Sequence, residues 1–381
     1  MAKFIDIHIL QTLPPSNPNR DDNGAPKSAT YGGVRRMRIS SQSIKRATRK
    51  AFEEVLPSIE RGVRTKRIVE LVREAIIEKN ASFADRATEL AEMALLEVGF
   101  KLSSPRGKKL DEMSDEQLKE AGFLVFLSAK QIEHLAEAVL SVANIDSDIS
   151  DVKKEFKALK PKNLVDTDHS IDIALFGRMV AEPNSLNVDA ACQVAHALGV
   201  GPVESEFDYY TAVDDAKAAD DDADEGAGMI GTLEFSSSTL YRYATINLGL
   251  LRENLGNDDV VLQAVQLFID SFCRSMPTGK ITTFANYTLP DAVLVQIRDD
   301  RPINLVGAFE NPVFADRRGF VEPAVTRFVQ FESGIREGAG MTPTKAFTAW
   351  TVDRAATISE LGERVALVEL GGTVASALRD A

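Results

Sequence analysis

The sequence predicts an α+β fold, and three patterns along the chain support this prediction. Residues 4–10, FIDIHIL, alternate isoleucines with other side chains, which is typical of a strand with one buried face. Apolar residues recur at helical spacing through most of 60–160. Beyond that region a helix, VVLQAVQLFIDSFCRSM, precedes a strand, DAVLVQIRD. Two strand–helix–strand halves with a helical insertion are compatible with a split βαβ, ferredoxin-like core.

The segment after the first strand predicts a long loop and then a helix. TLPPSNPNRDDNGAPKSATYGG is rich in Pro, Asn and Gly, which favours a loop, and VRRMRIS follows as a short strand. Ser40 or Ser41 can cap the next helix through its hydroxyl. At about 100° per residue, four residues of this helix share one face: Ile44, Ala47, Thr48 and Ala51.

The remaining elements follow in order. Residues 60–160 predict an inserted helical subdomain that ends where Pro161 stops its last helix. Residues 171–200 predict a strand, a loop and another helix. Strand-like residues then flank a Gly/Asp-rich tip, which indicates a long hairpin or extended arm. TISELGERVALVEL predicts a helix near the C-terminus.

Composition excludes several classes of protein. The chain has 381 residues, 44% of them hydrophobic, which suffices for one large domain or two smaller ones. Cys192 and Cys273 lie far apart, so a disulfide framework and a CxxC metal site are excluded. No apolar run approaches membrane-spanning length, and the N-terminus lacks the apolar core of a signal peptide. We therefore expect a cytoplasmic protein with no membrane partner.

Positive charge is concentrated in one segment of an acidic chain. The formal net charge is -13, yet residues 20–50 hold nine Lys/Arg and two Asp. This asymmetry predicts one anion-binding face on an otherwise repelling surface. The face of the predicted helix opposite Ile44 carries Gln42, Lys45, Arg46, Arg49 and Lys50. A solvated basic face and a phosphate-binding face both explain it.

Two further segments suit nucleic acid, and each also has an ordinary structural explanation. On a helix, four lysines of VKKEFKALK span an arc of roughly 120°: Lys153, Lys154, Lys157 and Lys160. A solvated lysine face explains them as well. Tyr209 and Tyr210 point to opposite faces of an extended strand, so one can anchor the arm while the other stacks on a base. Two ordinary sheet aromatics are the alternative.

Two loops complete the candidates. In FGRMVAEPNSLN, Met179 is favoured as core filler, and the loop 182–187 is the better place for nucleic-acid contact. The tip from Asp214 to Glu225 has seven Asp/Glu and one Lys, so it should avoid phosphates. It either points to solvent or touches a basic patch of another protein chain.

No motif points to catalysis. The four histidines have no metal-ligand spacing, and there is no GxSxG, Walker A or GxGxxG motif. Asp21 and Asp22, beside Arg20 in the long loop, form a pair that could hold Mg2+ and cleave RNA. A short loop Asp also turns the backbone without any chemistry. These motifs give no reason to expect a cofactor or an enzymatic activity, and RNA cleavage by Asp21 and Asp22 stays open as the alternative.

Several motifs together resemble those of one family. In chain order they are NRDD, YGGVRRMRISSQSIKRA, DIALFGRM, the stretch from FDYYTAVDD to GTLEFSSSTLYRYA, and INLGLLRENLG. The chain resembles the backbone (CasC-type) subunit of the type I-E CRISPR surveillance complex, Cascade. The motifs cover most of the chain except the helical region and the C-terminal part. The acidic tip departs from the family pattern.

The resemblance implies a modified RNA-recognition-motif, ferredoxin-like palm with a helical fingers insertion and a thumb β-hairpin. The implied domains are palm 1–58, fingers 59–170, palm 171–203, thumb 204–236 and palm 237–381. Copies of such subunits polymerise as a helical filament along CRISPR RNA and pre-order it for pairing with target DNA, without cutting. The sequence of the target is then read by base pairing with the guide, while the protein holds the backbone of the RNA. The implied partners are CRISPR RNA, target DNA, other copies of the chain, and the large, small, handle-binding and guide-processing endoribonuclease subunits.

The resemblance also assigns binding residues. RNA contacts are implied for Arg20, Lys27, Ser40, Gln42, Lys45, Arg46, Arg49, Tyr210, Thr211 and Val213. The last three belong to the thumb, which in the family wedges into the guide of the neighbouring subunit and displaces a base. DNA contacts are implied for Lys153, Lys154, Lys157 and Lys160. Two alternatives stay open: an RNA-cleaving backbone subunit like those of type III complexes, and a general single-stranded RNA-binding module.

Overall fold

A computed structural model of the protein describes residues 3–105, 117–180, 183–212 and 229–380. The chain divides into two compact units. The first, here called the sheet unit, comprises Met1–Phe52, Gln193–Ile246 and Val265–Ala381. The second, the helical unit, comprises Glu53–Cys192 and Asn247–Ala264. Among the described residues, no helix is both long and apolar enough to cross a membrane.

The strands and helices fall largely into separate runs along the chain, as is typical of an α+β protein. The strands are β1 Phe4–Ser16, β2 Ser28–Tyr31, β3 Val34–Ile39, β4 Gly62–Thr65, β5 Leu102–Ser103, β6 Glu120–Ala121, β7 Val125–Ser128, β8 Cys192–Val194, β9 Ala197–Gly199, β10 Glu206–Ala212, β11 Met229–Asn247, β12 Ala292–Arg298, β13 Lys345–Trp350 and β14 Glu363–Arg364. The α-helices are α1 Ser41–Ala51, α2 Ile68–Lys79, α3 Ala87–Val98, α4 Ala129–Val142, α5 Ile149–Ala158, α6 Pro161–Leu164, α7 Ile171–Phe176, α8 Leu248–Leu255, α9 Asp258–Arg274, α10 Ile281–Phe284, α11 Val321–Ala339 and α12 Leu370–Arg379. Shorter 3-10 turns include Leu305–Phe309 and Asp353–Leu361.

A mixed sheet in the order β14-β13-β12-β1-β11-β9-β3-β2 forms the sheet unit, and β10 extends β11 as a hairpin arm. Strand β1 pairs antiparallel with β12, so that Ile7 lies opposite Val295. Both faces of β1 are buried, since Asp6 and His8 are as inaccessible as the isoleucines that alternate with them. The predicted first strand is therefore confirmed, and it is a central strand rather than a half-exposed one.

Four helices, α2 to α5, build the core of the helical unit. Leu90, Leu135 and Phe156 are fully buried in one apolar cluster. Helix α4 begins with a capping box, in which the Ser128 hydroxyl accepts from the Gln131 N–H and the Gln131 side chain accepts from the Ser128 N–H. The helical prediction for this region is confirmed, with two added strand pairs, β4–β7 and β5–β6.

The region 171–200 was predicted wrongly. Ile171–Phe176 is a helix, and the predicted helix after it is replaced by the short strands β8 and β9. Apolar runs of five or six residues carry no period that separates helix from strand. Gly177, at φ 78°, ends α7, and Leu198 then pairs with both Arg38 and Tyr241 to complete the sheet.

Three element boundaries also differ from the prediction. Strand β1 continues to Ser16 and β2 pairs with β3, so the predicted loop shrinks to 17–27. Helix α5 ends at Ala158, and Pro161 begins α6. Proline is tolerated at a first helical position because the N–H that it lacks would have no partner within the helix. TISELGERVALVEL is a 3-10 turn followed by β14, and the C-terminal helix is α12. Pairing of β14 with β13 draws this segment into the sheet.

Candidate nucleic-acid interface

Helix α1 presents the predicted basic face. Ile44 and Thr48 are buried, and the Thr48 hydroxyl lies 3.2 Å from the Ser275 hydroxyl, which fixes the apolar face to the sheet unit. The opposite side is open: Gln42, Arg46 and Lys50 are exposed, and Lys45 and Arg49 are partly exposed. The helix therefore packs through one face and offers the other to solvent or a ligand.

The start of α1 differs from the prediction in how it is capped. Ser40 occupies the N-cap position, but its hydroxyl makes no capping hydrogen bond. Instead the Ser40 backbone N–H donates to Asn19 Oδ1 at 2.9 Å. The cap is thus supplied by a loop 21 residues away in sequence, and the Ser40 hydroxyl is left without a capping role.

The 17–27 loop is fastened to both α1 and the hairpin arm. The buried Asn17 donates from Nδ2 to Gly24 O and to Glu234 O, both at 2.9 Å. The Lys27 N–H donates to Asn19 O at 2.9 Å. Arg20 is exposed on this loop and pairs through its backbone with Pro26. The loop therefore holds Arg20 and Lys27 in fixed positions beside the start of α1.

Asp21 has a structural role in this loop. Its Oδ1 accepts from the backbone N–H groups of Asn23 and Ala25, at 2.9 and 3.0 Å. This is the turn-forming use of a short acidic side chain. Asp22 is exposed beside it. Over the described ranges, no cluster of three or more His, Cys, Asp or Glu side chains is arranged to hold a metal ion.

Lys27 and Arg38 meet at the N-terminus of α1. Arg38 Nη1 lies 3.1 Å from His196 Nδ1, and the Ser41 N–H donates to the same nitrogen at 3.3 Å. Burial, and then the charges of Arg38 and Lys27, lower the pKa of His196, which keeps the ring neutral near pH 7. His196 thus acts as an acceptor that ties β3 to the helix start.

Six basic side chains in and around α1 have no carboxylate partner among the described residues. In the part of the chain that the structure describes, no carboxylate lies within 4.0 Å of the charged groups of Arg20, Lys27, Arg38, Lys45, Arg46 or Lys50. Surface cations usually find such a partner in an acidic protein. Their concentration without one leaves a positive surface that favours a polyanion.

One arginine of the basic segment is not part of this surface. Arg36 is fully buried, and its guanidinium donates to five backbone carbonyls, from 2.6 to 3.3 Å: Tyr31, Gly199, Val200, Phe309 and Glu310. It joins β3 to two distant segments. Neighbouring Arg35 is exposed and donates to Ser28 Oγ. The sequence alone did not separate these two roles.

The hairpin arm places the two tyrosines on opposite faces, as predicted. Tyr209 lies opposite Thr232 and is 75% exposed, while Tyr210 lies opposite Gly231 and is 47% exposed. The Tyr210 ring covers Gly231, since a Cβ there would lie 2.3 Å from the ring. Thr211 lies in the same strand, opposite Ile230. Val213 and the acidic tip Asp214–Glu225 lie outside the described residues.

The predicted lysine arc is shorter than expected. Lys153, Lys154 and Lys157 lie on α5, whose Val152 and Phe156 are buried. Lys160 follows the helix in a left-handed conformation, φ 52°, at the start of α6. Lys153 Nζ also lies 3.1 Å from Glu97 Oε1. Lys154 and Lys157 are the two helix lysines that remain exposed without a carboxylate partner among the described residues.

Met179 does not take the buried position predicted for it, and Arg178 takes that position instead. Met179 is 92% exposed, so its prediction as core filler is wrong. Arg178 is buried and donates to Leu186 O at 2.6 Å and Val165 O at 3.0 Å. Burial lowers its pKa to about 10, which leaves it charged at neutral pH. Because Arg178 takes the inward position after Gly177, the next side chain points outward. Of the predicted contact loop, residues 183–187 are described.

Comparison with known proteins identifies relatives for nearly the whole chain. The model of a Cas family described as CT1975-like protein matches residues 5–371. One solved structure, "CRISPR RNA-guided surveillance complex, pre-nicking", is 33% identical, with a TM-score of 0.81 over 98% of this chain and 99% of that one. Another, "CRISPR RNA-guided surveillance complex", is 28% identical, with a TM-score of 0.66 at the same coverage. No curated protein sequence matches. The mixed sheet with its helices is the α+β fold of those subunits.

Proposed function

Because the chain belongs to the CT1975-like Cas family, we propose that it is the CRISPR-RNA-binding backbone subunit of a type I-E surveillance complex. The observation that carries the proposal is the basic surface of α1 and the 17–27 loop. Among the described residues, no carboxylate pairs with Arg20, Lys27, Lys45, Arg46 or Lys50 there. On a chain of net charge -13, one positive surface attracts a polyanion, while the negative remainder of the surface repels polyanions.

The guide RNA lies along this surface. Lys45, Arg46 and Arg49 neutralise successive phosphates, and each neutralised phosphate releases counterions, which makes the affinity dependent on salt. Ser40 and Gln42 donate hydrogen bonds to phosphate or sugar oxygens. Arg20 and Lys27 extend the contact from the loop that Asn17 and Asn19 hold in place.

The hairpin arm acts on a neighbouring copy. Tyr210, with Thr211 and Val213, wedges into the guide held by the next subunit and stacks on a base. Gly231 beneath the ring allows it to lie flat on the arm. Copies therefore polymerise along one guide, each covering a fixed length, and hold it ordered for pairing with DNA. Pairing then costs less ordering entropy.

Target DNA meets the lysines of α5. Lys154 and Lys157 contact the phosphates directly, with Lys160 at the helix end. Lys153 contributes less because Glu97 already holds it. We propose that the chain itself does not cut RNA, and the use of Asp21 Oδ1 in its turn supports this proposal. The large, small, handle-binding and guide-processing subunits complete the complex in the cytoplasm.

Titration of the purified chain onto labelled repeat–spacer RNA, with Mg2+ and over a range of salt, tests this function. We expect stepwise growth of the complex on intact RNA. Lys45→Glu with Arg46→Glu should weaken binding at least tenfold. Arg317→Glu with Lys345→Glu is the matched control, because both residues are exposed in the sheet unit and the change in net charge is the same.

Each other outcome of this titration contradicts the proposal in a different way. Cleaved RNA whose appearance requires Mg2+ and disappears in Asp21→Ala or Asp22→Ala would establish the RNA-cutting alternative. Binding of a single copy to any RNA, without growth, would indicate a general single-stranded RNA-binding module. Equal weakening by the test and control variants would remove α1 as the RNA surface.

A further inference from the structure

The loop at 275–289, between α9 and β12, belongs to the sheet unit and is not among the RNA contacts proposed above. Arg242, fully buried, donates from Nη2 to Phe272 O at 2.5 Å and to Ser275 O at 3.1 Å. At the other end, Gln11 Nε2 donates to Thr288 O at 2.7 Å. Both ends of the loop are therefore fixed by buried side chains of the sheet.

Between these anchors the backbone is strained. Lys280 and Ala285, on either side of α10, have positive φ values of 53° and 44°. Asn286 is 2% exposed, and neither of its amide atoms has a hydrogen-bond partner in the part of the chain that the structure describes. Strained backbone and unpartnered buried polar groups are costly to keep, and they concentrate at functional sites.

The loop lies between the two regions assigned to RNA. Gly279 packs against the 17–27 loop, since a Cβ at Gly279 would lie 2.3 Å from Pro18 O. The Phe284 ring packs on Phe235 of β11, with the ring centroids 5.7 Å apart. Phe235 follows Glu234, the residue that Asn17 ties to the Arg20 loop. An RNA strand that runs from α1 towards the hairpin arm would therefore pass this loop.

The exposed side chains of the loop have the chemistry for single-stranded nucleic acid. Lys280 is exposed, and no carboxylate of the described residues pairs with it. Thr282 and Thr283 are exposed beside it. Tyr287 is 80% exposed, so its ring is open to stacking. A cation, hydroxyls and an open aromatic ring are the set that holds a backbone phosphate and its neighbouring base.

We infer that the 275–289 loop is a second contact for the guide RNA, in which Lys280 binds a phosphate and Tyr287 stacks on a base. This inference rests on the proposed function. It adds residues outside the basic segment, and it assigns to the loop the nucleotides between α1 and the hairpin arm.

Fluorescence anisotropy of the full chain on labelled single-stranded RNA tests the inference. Lys280→Asn removes the charge but suits the left-handed backbone better than lysine. We expect it to lower the affinity about threefold to tenfold and the slope of log K against log salt by about 0.7, with an unchanged or higher Tm. Tyr287→Ala should lower the affinity roughly fivefold or more and leave the salt slope unchanged. Lys345→Asn, on an exposed lysine of β13, is the control.

The outcomes separate this inference from the proposed function. If Lys280→Asn and Tyr287→Ala bind RNA like the control while Lys45→Glu with Arg46→Glu binds weakly, the loop contact is wrong and the proposed function stands. If the unaltered chain binds no RNA, both fall. If Tyr287→Ala prevents the joining of copies but not the binding of one copy, the loop is a protein contact, which also contradicts the inference.

Discussion

Arg35 and Arg36 are adjacent in β3 and have opposite surroundings. Arg35 faces solvent, and Arg36 donates to five carbonyls from segments more than a hundred residues apart as well as from its own turn. Gly32, at φ 58°, lets this turn approach Glu310 closely, since a Cβ there would overlap Glu310 O. The guanidinium therefore stabilises the fold rather than the ligand.

Replacement of these two arginines should separate fold from function. Arg36→Met leaves buried carbonyls without donors, so we expect the free energy of unfolding to fall by at least ~3 kcal/mol. Arg35→Met should change it by less than about 0.5 kcal/mol. Urea denaturation at pH 7 measures both. Equal stability of the two variants would show that the Arg36 contacts contribute little.

His8 predicts a pH dependence of stability. Burial, and then the charge of Arg298, lowers the pKa of His8 to about 3, and the ring lies among Tyr241, Tyr243 and Phe328. An unfolded histidine titrates near 6.5. Between these values the unfolded state binds a proton that the folded state does not, so stability falls as the pH falls from about 6.5 towards 3.

Comparison with His8→Phe isolates this contribution. Between pH 7 and pH 5 the unaltered protein should lose up to about 2 kcal/mol more than the variant. Burial raises the pKa of nearby Asp6, which acts in the opposite direction but is present in both proteins. Urea denaturation at the two pH values gives the difference. Identical losses would mean that His8 is not the titrating group.

At the residue scale, the sequence predicted the buried face of α1 better than the direction of other single side chains. The pattern around Ile44 gave the correct buried face of α1. It did not show that Arg36 and Arg178 point inward, because their carbonyl partners come together only in the fold. Met179 was misplaced for the same reason, since Arg178 took its expected position.

At the element scale, one face of the hairpin arm carries an aromatic ring that packs on the neighbouring strand and is still partly exposed. Tyr210 covers Gly231, while Phe207 and Tyr209 are exposed on the opposite face. Tyr210→Ala should weaken the joining of copies on RNA roughly tenfold, because base stacking is worth about 1–3 kcal/mol. Tyr210→Phe should restore it, since the ring and not the hydroxyl stacks.

Electrophoretic titration on repeat–spacer RNA measures how cooperatively the copies join on the RNA, which is the quantity that this prediction concerns. Tyr209→Ala is the matched control, because it removes the same ring from the other face of the same strand. A larger effect of Tyr209→Ala than of Tyr210→Ala would show that the wedge lies on the Tyr209 face and contradict this prediction.

Helix α5 makes a separate prediction about DNA. Lys154→Glu with Lys157→Glu should weaken binding of target DNA to the RNA-loaded assembly and lower its salt dependence, without changing RNA binding. Lys66→Glu with Lys130→Glu, two exposed lysines of the same unit, is the control. Filter binding at several salt concentrations measures both pairs. Equal effects would indicate long-range charge rather than contact.

Several long periodic elements were predicted well, but the 19-residue helix α11 was not predicted, and short apolar elements were predicted poorly. Helices α1 to α5 and α9 carry a helical period over ten or more residues, which burial of one face enforces. Ile171–Phe176 spans only six residues before Gly177, at φ 78°, ends the helix, so its apolar run carries too short a period to separate helix from strand. Strand β14 has two residues, and pairing with β13 rather than propensity determines it.

At the scale of the whole molecule, the function depends on many copies. If each copy covers a fixed length of guide, a spacer of twice the length should bind about twice as many copies at saturation. Mass measurement of the assemblies on the two RNAs tests this, with an RNA that lacks the repeat as the control. A copy number independent of spacer length would contradict polymerisation along the guide.

The pairing of β1 with β12 has a consequence for how the protein is made. Phe4 pairs with Arg298, so the first strand leaves the ribosome long before its partner exists. At translation speeds of 5–20 residues per second, the delay is roughly 15 to 60 s. During that time an apolar strand edge stays unpaired and open to aggregation. Nascent-chain chaperones are therefore expected to protect the N-terminal strand of this protein while its partner is still being made.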